Sequence, residues 1–285
     1  MTSGRTFEIG KSNTRYLIVK TPNHVYKIGG SLKKIRYLHH EYNAFCSAKN
    51  SNTLISGFVP NMDLKSFYLK LKRYDDFSMD KKHLLDNYFS KLEETEWKIS
   101  DYSTLLDFDY LNSILEERNI AKLKKYLESF EVPVTPAHRD FRLANILTNG
   151  NRLLFIDWPN YSSNSTYIFD LINLLVYSEK EYEEENNWNV TKRILNSKKI
   201  LSKNPFESYY QKLEKHMWVA YIVDKVCVEL RNNFLLHGYI PQSKIRKGKV
   251  IISELLPFCR KLRHYKYEAL LKKSSNDSIL LLFFR

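Results

Sequence analysis

The chain has 285 residues, 43% of them hydrophobic, with 20 Tyr, 16 Phe and 4 Trp, which is enough apolar surface for a large core and too much for a disordered chain. Eight Gly, eight Pro and three cysteines (Cys46, Cys227, Cys259) without CxxC spacing exclude a collagen-like chain, a disulfide scaffold and a zinc knuckle, and fit a reducing cytoplasm. The net charge of +13 is spread along both ends of the sequence, with only Lys244–Lys249 as a tight cluster, so a solvated basic surface that attracts an anionic partner is expected.

In chain order, the first ten residues are polar and lack the apolar centre of a signal peptide. Tyr16–Lys20 and Val25–Ile28 are short β-branched or aromatic runs separated by the turn residues Thr21–His24, which predicts a hairpin. Gly29-Gly30-Ser31 then breaks the strand. Leu32–Ala48 carries apolar residues at three- and four-residue spacings and predicts a helix. Phe67–Tyr74 alternates apolar and basic residues and predicts a further strand, with a hinge at Asp75-Asp76. Residues 1–75 therefore form a small β-rich unit, and 76–285 a larger, mainly helical one.

Helical periodicity resumes over Lys81–Trp97 and Tyr110–Phe130. Two prolines in Glu131–Pro136 exclude a helix interior there. Asn145–Thr148 and Arg152–Ile156 flank Asn149-Gly150-Asn151 and predict a second hairpin turning at Asn-Gly. The remainder to about Lys273 is mostly helical. The apolar run Ile279–Phe284 is too short to span a bilayer and is expected to be a buried terminal strand or helix end.

The second hairpin carries the chemistry. Asp140 lies five residues before Asn145, and Asp157 twelve after it. Asn145 at the entrance of the hairpin and Asp157 at its exit would face one space, and an amide oxygen and a carboxylate are hard ligands of the kind Mg²⁺ accepts. Asp140 would be an uncoordinated carboxylate beside them. A bound cation and an adjacent base are the minimum for moving a phosphoryl group onto a hydroxyl.

The run His138-Arg139-Asp140-Phe141-Arg142-Leu143-Ala144-Asn145 matches the protein-kinase spacing H-R-D-x-x-x-x-N. With Phe155-Ile156-Asp157-Trp158 in place of Asp-Phe-Gly, and Phe169-Asp170-Leu171 after it, the sequence resembles the aminoglycoside phosphotransferase and choline kinase-like family. The resemblance implies an α+β, bilobal protein-kinase-like fold with a small β-rich N-terminal lobe and a larger helical C-terminal lobe. It implies ATP and Mg²⁺ as cofactors, with Asp140 as catalytic base and Asn145 and Asp157 on the metal. His138 belongs to the same catalytic segment, where holding the loop by a hydrogen bond is its expected part. Lys27 resembles the lysine that contacts the α- and β-phosphates, and Glu41 the glutamate that orients it. Gly10–Arg15, with Ser12 and Asn13, resembles the loop that covers the phosphates. Asp170 resembles the carboxylate that buttresses the catalytic loop.

The expected activity is transfer of the γ-phosphoryl group of ATP to a hydroxyl of a small molecule or glycan. Candidate acceptors are a sugar of a surface polysaccharide or lipopolysaccharide, an aminoglycoside and a choline-like alcohol. The basic surface would make a peripheral contact with an anionic membrane. Competing readings are a protein kinase, on His138-Arg139-Asp140, and a pseudokinase or nucleic-acid-binding module, on charge alone. No zinc-finger, RNP or helix-turn-helix signature supports the last of these.

Overall fold

Short alternating strands at the start of the chain build one antiparallel sheet. The computed structural model describes residues 8–11, 16–74, 81–183, 187–197, 204–257 and 259. Its N-terminal part contains β1 (Glu8–Lys11), β2 (Leu17–Lys20) and β3 (His24–Ile28), then helix α1 (Leu32–Asn50), then β4 (Met62–Lys65) and β5 (Tyr68–Lys72). The strand order is β1-β2-β3-β5-β4, so β3 is central, and Lys27 pairs with Ile18 on one side and Leu69 on the other.

Helix α1 begins three residues after β3, and the close approach depends on Gly29. A Cβ there would lie 3.0 Å from the backbone nitrogen and the Cγ1 of Ile35. Ser31 caps the helix, its hydroxyl accepting from Lys34 N–H. Tyr37, Leu38, Phe45 and Ala48 are buried beneath the sheet, and Glu41 shares that face with no exposed surface.

The remainder comprises α2 (Lys81–Glu94), β6 (Ile99–Asp101), α3 (Glu117–Leu127), β7 (Glu131–Pro133), β8 (Thr135–Ala137), β9 (Ile146–Asn149), β10 (Arg152–Phe155) and β11 (Ser162–Ser165). The helices α4 (Tyr167–Glu183), α5 (Asn187–Ser197), α6 (Glu207–Tyr210), α7 (Lys215–His237) and α8 (242–257) follow. A small antiparallel sheet followed by a mainly helical part is an α+β, bilobal arrangement. None of the described helices is long and apolar enough to cross a membrane.

Two apolar clusters organise the molecule. One joins the N-terminal sheet and α1 to α2, β9, β10 and the Phe141, Phe155 and Trp158 rings. The other packs α3, α7 and α8 together. Helix α4 lies between them, giving Leu171, Leu174 and Leu175 to the first cluster and Ile168, Phe169, Ile172 and Val176 to the second. A helix apolar on all sides is a buried helix, and this one anchors the loop described below.

Three expectations change. The helix expected over Tyr110–Phe130 is a 3₁₀ turn at Phe108–Ser113 and then α3. Asp107 accepts from Asp109 N–H and the Ser113 hydroxyl donates back to the Tyr110 carbonyl, so local polar groups close the first piece before the second begins. The second hairpin pairs Asn149 with Arg152, so its two turn residues are Gly150 and Asn151 rather than Asn-Gly. Gly150 has φ 60°, the positive value demanded at the first of two turn positions. Strands β1 and β4 extend the predicted hairpin into a five-stranded sheet. Asp75-Asp76 and Ile279–Phe284 lie outside the described residues.

Candidate active site

Lys27 is the buried position of β3. Its ammonium donates to Glu41 from α1 and, at 3.0 Å, to Asp157 Oδ1. Burial pushes its pKa down, but the charges of Asp157 and Glu41 outweigh burial and raise it well above the usual lysine range. The strand lysine, the helix glutamate and the carboxylate after the second hairpin therefore form one chain of contacts.

The segment after β8 is shaped from below by Asp170, in the first turn of α4. Its carboxylate accepts from His138 N–H at 2.8 Å and Arg139 N–H at 2.7 Å. Arg139 adopts φ 61° and turns its guanidinium inward onto Asp224 of α7. Lys225, the next residue of α7, donates to the Arg139 carbonyl. His138 is fully buried. Asp140 N–H donates to its Nδ1 at 3.3 Å, which leaves Nε2–H to donate to the Ile156 carbonyl at 2.9 Å. Burial lowers its pKa to about 4, so the ring is neutral.

Asp140 emerges from this support into a cleft of about 1000 Å³, lined also by Lys27, Arg142, Asp157 and Lys225. Burial raises the pKa of Asp140, while Lys225 and Arg142 oppose that rise. Asn145 Nδ2 donates to the Asp140 carbonyl (2.9 Å) and to its Oδ2 (3.0 Å). The Asn145 carbonyl accepts from Ile156 N–H at 2.9 Å, so the two ends of the hairpin lie side by side. Asp157 then takes φ 68°. Burial pushes its carboxyl up, but Lys27, with help from Arg142, holds it below the usual range.

Arg142 stands between the two carboxylates, its Nε 3.7 Å from Asp140 Oδ2 and its Nη2 4.0 Å from Asp157 Oδ2. Among the described residues its buried Nε has no hydrogen-bond partner. Asp140, Asn145, Asp157, Lys27 and Glu41 are thus brought together, with His138 beneath them. Ser12 and Asn13 lie outside the described residues. Arg142 and Lys225 were not singled out from sequence. Arg142 lay unread inside the quoted loop, and Lys225 comes from a helix more than eighty residues away, which no local pattern signals.

Among the described residues no three His, Cys, Asp or Glu side chains gather into a metal cage. Oxygen donors such as the carboxylate of Asp157 and the amide of Asn145 are of the hard type that Mg²⁺ accepts. The sequence profile of choline/ethanolamine kinase matches residues 18–258. No curated protein matches the chain.

Similar solved structures include a candidate fructosamine-3-kinase of Haemophilus somnus 129PT, 11% identical, with TM-score 0.52 over 88% of this chain and 91% of that one. A choline/ethanolamine kinase family protein of Mesorhizobium loti is 14% identical, with TM-score 0.41 over 91% and 94%. The ADP-bound aminoglycoside phosphotransferase APH(2″)-Ib is 14% identical, with TM-score 0.44 over 88% and 92%. At these identities the likeness is one of fold, and the first of the three carries it. With 241 residues matched by the profile, the chain belongs to the choline/ethanolamine kinase family and is a kinase of small-molecule hydroxyl groups.

Proposed function

We propose that this kinase is an ATP- and Mg²⁺-dependent phosphotransferase that moves the γ-phosphoryl group to a hydroxyl of a small molecule or glycan in the cytoplasm. The observation that carries the reading is the convergence of Asp140, Asp157 and Lys27 on one cleft, with Asn145 hydrogen-bonded to Asp140. The residues present fit the cofactors. Asp157 stays ionised, and Asn145, whose Nδ2 is engaged by Asp140, has its amide oxygen to offer a cation. The unpartnered Arg142 Nε suits a phosphate oxygen. Asn145 and Asp157 would hold the metal, and Lys27, oriented by Glu41, the phosphates; Ser12 and Asn13 would cover them.

When bound, a magnesium nucleotide supplies a transferable phosphoryl group whose negative charge is largely neutralised. Asp140 accepts a hydrogen bond from the acceptor hydroxyl, orients it for in-line attack and takes its proton late. His138 and Asp170 hold the loop so that this carboxylate keeps its direction. Because the transition state of such transfers is loose, positioning and charge stabilisation supply most of the acceleration. Arg139, the residue that favoured a protein kinase, faces Asp224 in the interior rather than the cleft.

Candidate acceptors are a sugar of a surface polysaccharide or lipopolysaccharide, an aminoglycoside and a choline-like alcohol. ADP release with Mg·ATP, followed over a screen of sugars, aminoglycosides and amino alcohols, tests the reading. Metal-dependent release with one acceptor class, and a phosphate ester located on its hydroxyl, is the expected result. Failure of every class to accept phosphate would sink it.

A further inference from the structure

Several of the charged groups that line the cleft are already matched. Lys27 is shared by Glu41 and Asp157. Lys225 donates to the Arg139 carbonyl, beside Asp140 and Asp224. Farther along, Glu229 accepts from Lys244 at 2.7 Å and from Lys247 at 3.4 Å. Arg142 differs from these. It stands 3.7 Å from one carboxylate and 4.0 Å from another, which are ion-pair separations and too long for hydrogen bonds.

Two further contacts define its posture. The guanidinium lies over the Tyr177 ring, 5.4 Å from the centroid, and Tyr177, a residue of α4, lines the same cleft. A ring face attracts the cation without using up its N–H donors. Among the described residues the buried Nε accordingly keeps an N–H with no acceptor. A buried donor left without a partner costs about 1–3 kcal/mol, which a ligand oxygen would recover.

The position of this donor decides what the oxygen belongs to. Asp140 marks where the acceptor hydroxyl gives up its proton. Lys27 and Asp157 mark where the phosphates and the cation of the nucleotide would lie. A phosphoryl group passing from one to the other crosses the interval between Asp140 and Asp157, and the guanidinium stands in that interval.

Resting on the phosphotransferase reading, we propose that Arg142 is a further catalytic residue whose guanidinium donates to the equatorial oxygens of the phosphoryl group in transit. The acceptor oxygen forms its bond to phosphorus and its proton passes to Asp140. The bond to the bridging oxygen breaks, and that electron pair leaves with ADP. In the free chain the guanidinium screens Asp140 from Asp157; during transfer it turns its donors from the carboxylates to the phosphoryl oxygens. A planar fork of charged donors suits this task, and an arginine supplied from within the chain performs it in some nucleotide hydrolases. A lysine at this place would bring a single point charge instead.

Calorimetric titration of the full chain tests this with Mg·ADP, alone and together with fluoroaluminate, which mimics the phosphoryl group in transit and needs no acceptor. The wild-type chain is expected to bind Mg·ADP about a hundredfold or more tightly with fluoroaluminate than without. Arg142→Ala is expected to lose about tenfold or more of that preference while its affinity for Mg·ADP alone stays nearly the same, and Arg142→Lys to regain part of it. With the acceptor found in the screen above, kcat of Arg142→Ala is expected to fall about 10²- to 10³-fold, with KM for ATP nearly unchanged.

A preference for fluoroaluminate as large in Arg142→Ala as in the wild type, or an undiminished kcat, overturns the assignment and leaves the phosphotransferase reading standing. Where Arg142→Ala binds no nucleotide at all, the ratio is read in Arg142→Lys, and a wild-type ratio there overturns the assignment equally. A wild-type chain that gains nothing from fluoroaluminate and transfers to no acceptor defeats the phosphotransferase reading, and the assignment with it.

Discussion

A carboxylate that is to receive a proton from an alcohol must stay charged while it is largely shielded from water. The Asp140 side chain is 17% exposed, and Lys225 and Arg142 oppose, without cancelling, the rise in pKa that its burial causes. Asp140→Asn keeps the shape and the contact with Asn145 but removes the proton acceptor. We expect kcat to fall by about 10²- to 10⁴-fold with nucleotide affinity nearly intact, measured by steady-state kinetics and by titration with an ATP analogue. His138 makes a different prediction. Its folded pKa of about 4 lies below the ordinary histidine value, so between pH ~6.5 and 4 the unfolded chain binds a proton that the folded ring refuses. Stability contributed by this ring is complete above that window and is lost as pH falls through it, on the order of 3 kcal/mol. Urea unfolding at pH 7 and pH 4.5 should show the loss, and His138→Asn should show less of it.

Individual residues also mark how far sequence reading reaches. Lys27 and Glu41 are fourteen residues apart, on a strand and the helix that follows it, so a local pattern brings them together. Asp140, Asn145 and Asp157 belong to one loop and one hairpin, and their spacing is again local. Lys225, Glu229, Lys244 and Lys247 sit on α7 and α8. The direction in which each faces depends on how those helices dock against α4 and α5, which periodicity does not specify.

At the level of elements, the support of the 138–145 segment is a set of ties from α4 and α7. Arg139, with its left-handed backbone, is fixed by Asp224, a fully buried carboxylate. Breaking a buried pair from one side leaves the other charge uncompensated, at a cost of about 3–5 kcal/mol. Arg139→Ala is therefore expected to destabilise the fold by about that amount in urea titrations, and Arg139→Ala combined with Asp224→Ala to recover part of it. An unchanged unfolding midpoint in the single variant would remove this assignment. The helix expected over Tyr110–Phe130 failed for a related reason: apolar spacing survives a 3₁₀ turn, but side-chain oxygens at Asp107 and Ser113 close the backbone early. The second hairpin was legible because its runs are apolar and short. The identity of its turn pair was not, because Asn-Gly and Gly-Asn both fit a two-residue loop until the pairing of Asn149 with Arg152 chooses between them.

Across the whole molecule, one apolar cluster joins the N-terminal sheet to the second hairpin, and the other holds the helical remainder. A ligand that binds only the folded chain stabilises it by mass action, about 2.7 kcal/mol at a hundredfold excess over its dissociation constant. Mg·ATP is therefore expected to raise the melting temperature, EDTA to cancel much of the rise, and an oligonucleotide to leave it unmoved. The equal effect of ATP with and without metal would count against a role for Asn145 and Asp157 in holding the cation. The split into a small β-rich unit and a larger helical one was readable from the switch between two-residue and helical periodicity, whereas the bilobal kinase-like class came from the family resemblance. The wall of the cleft beyond Asp140 was not, since net charge along a sequence does not say which lysines face one another.

The contact of Lys27 with Asp157 runs from the central strand of the sheet to the far end of the second hairpin, so it fastens the two halves at one spacing. A nucleotide reaching this site competes for a lysine that already has an acidic neighbour instead of drawing two separated parts together. Its arrival would then register as an exchange of electrostatic partners, sensitive to ionic strength. The envelope measured by small-angle X-ray scattering should barely contract upon loading.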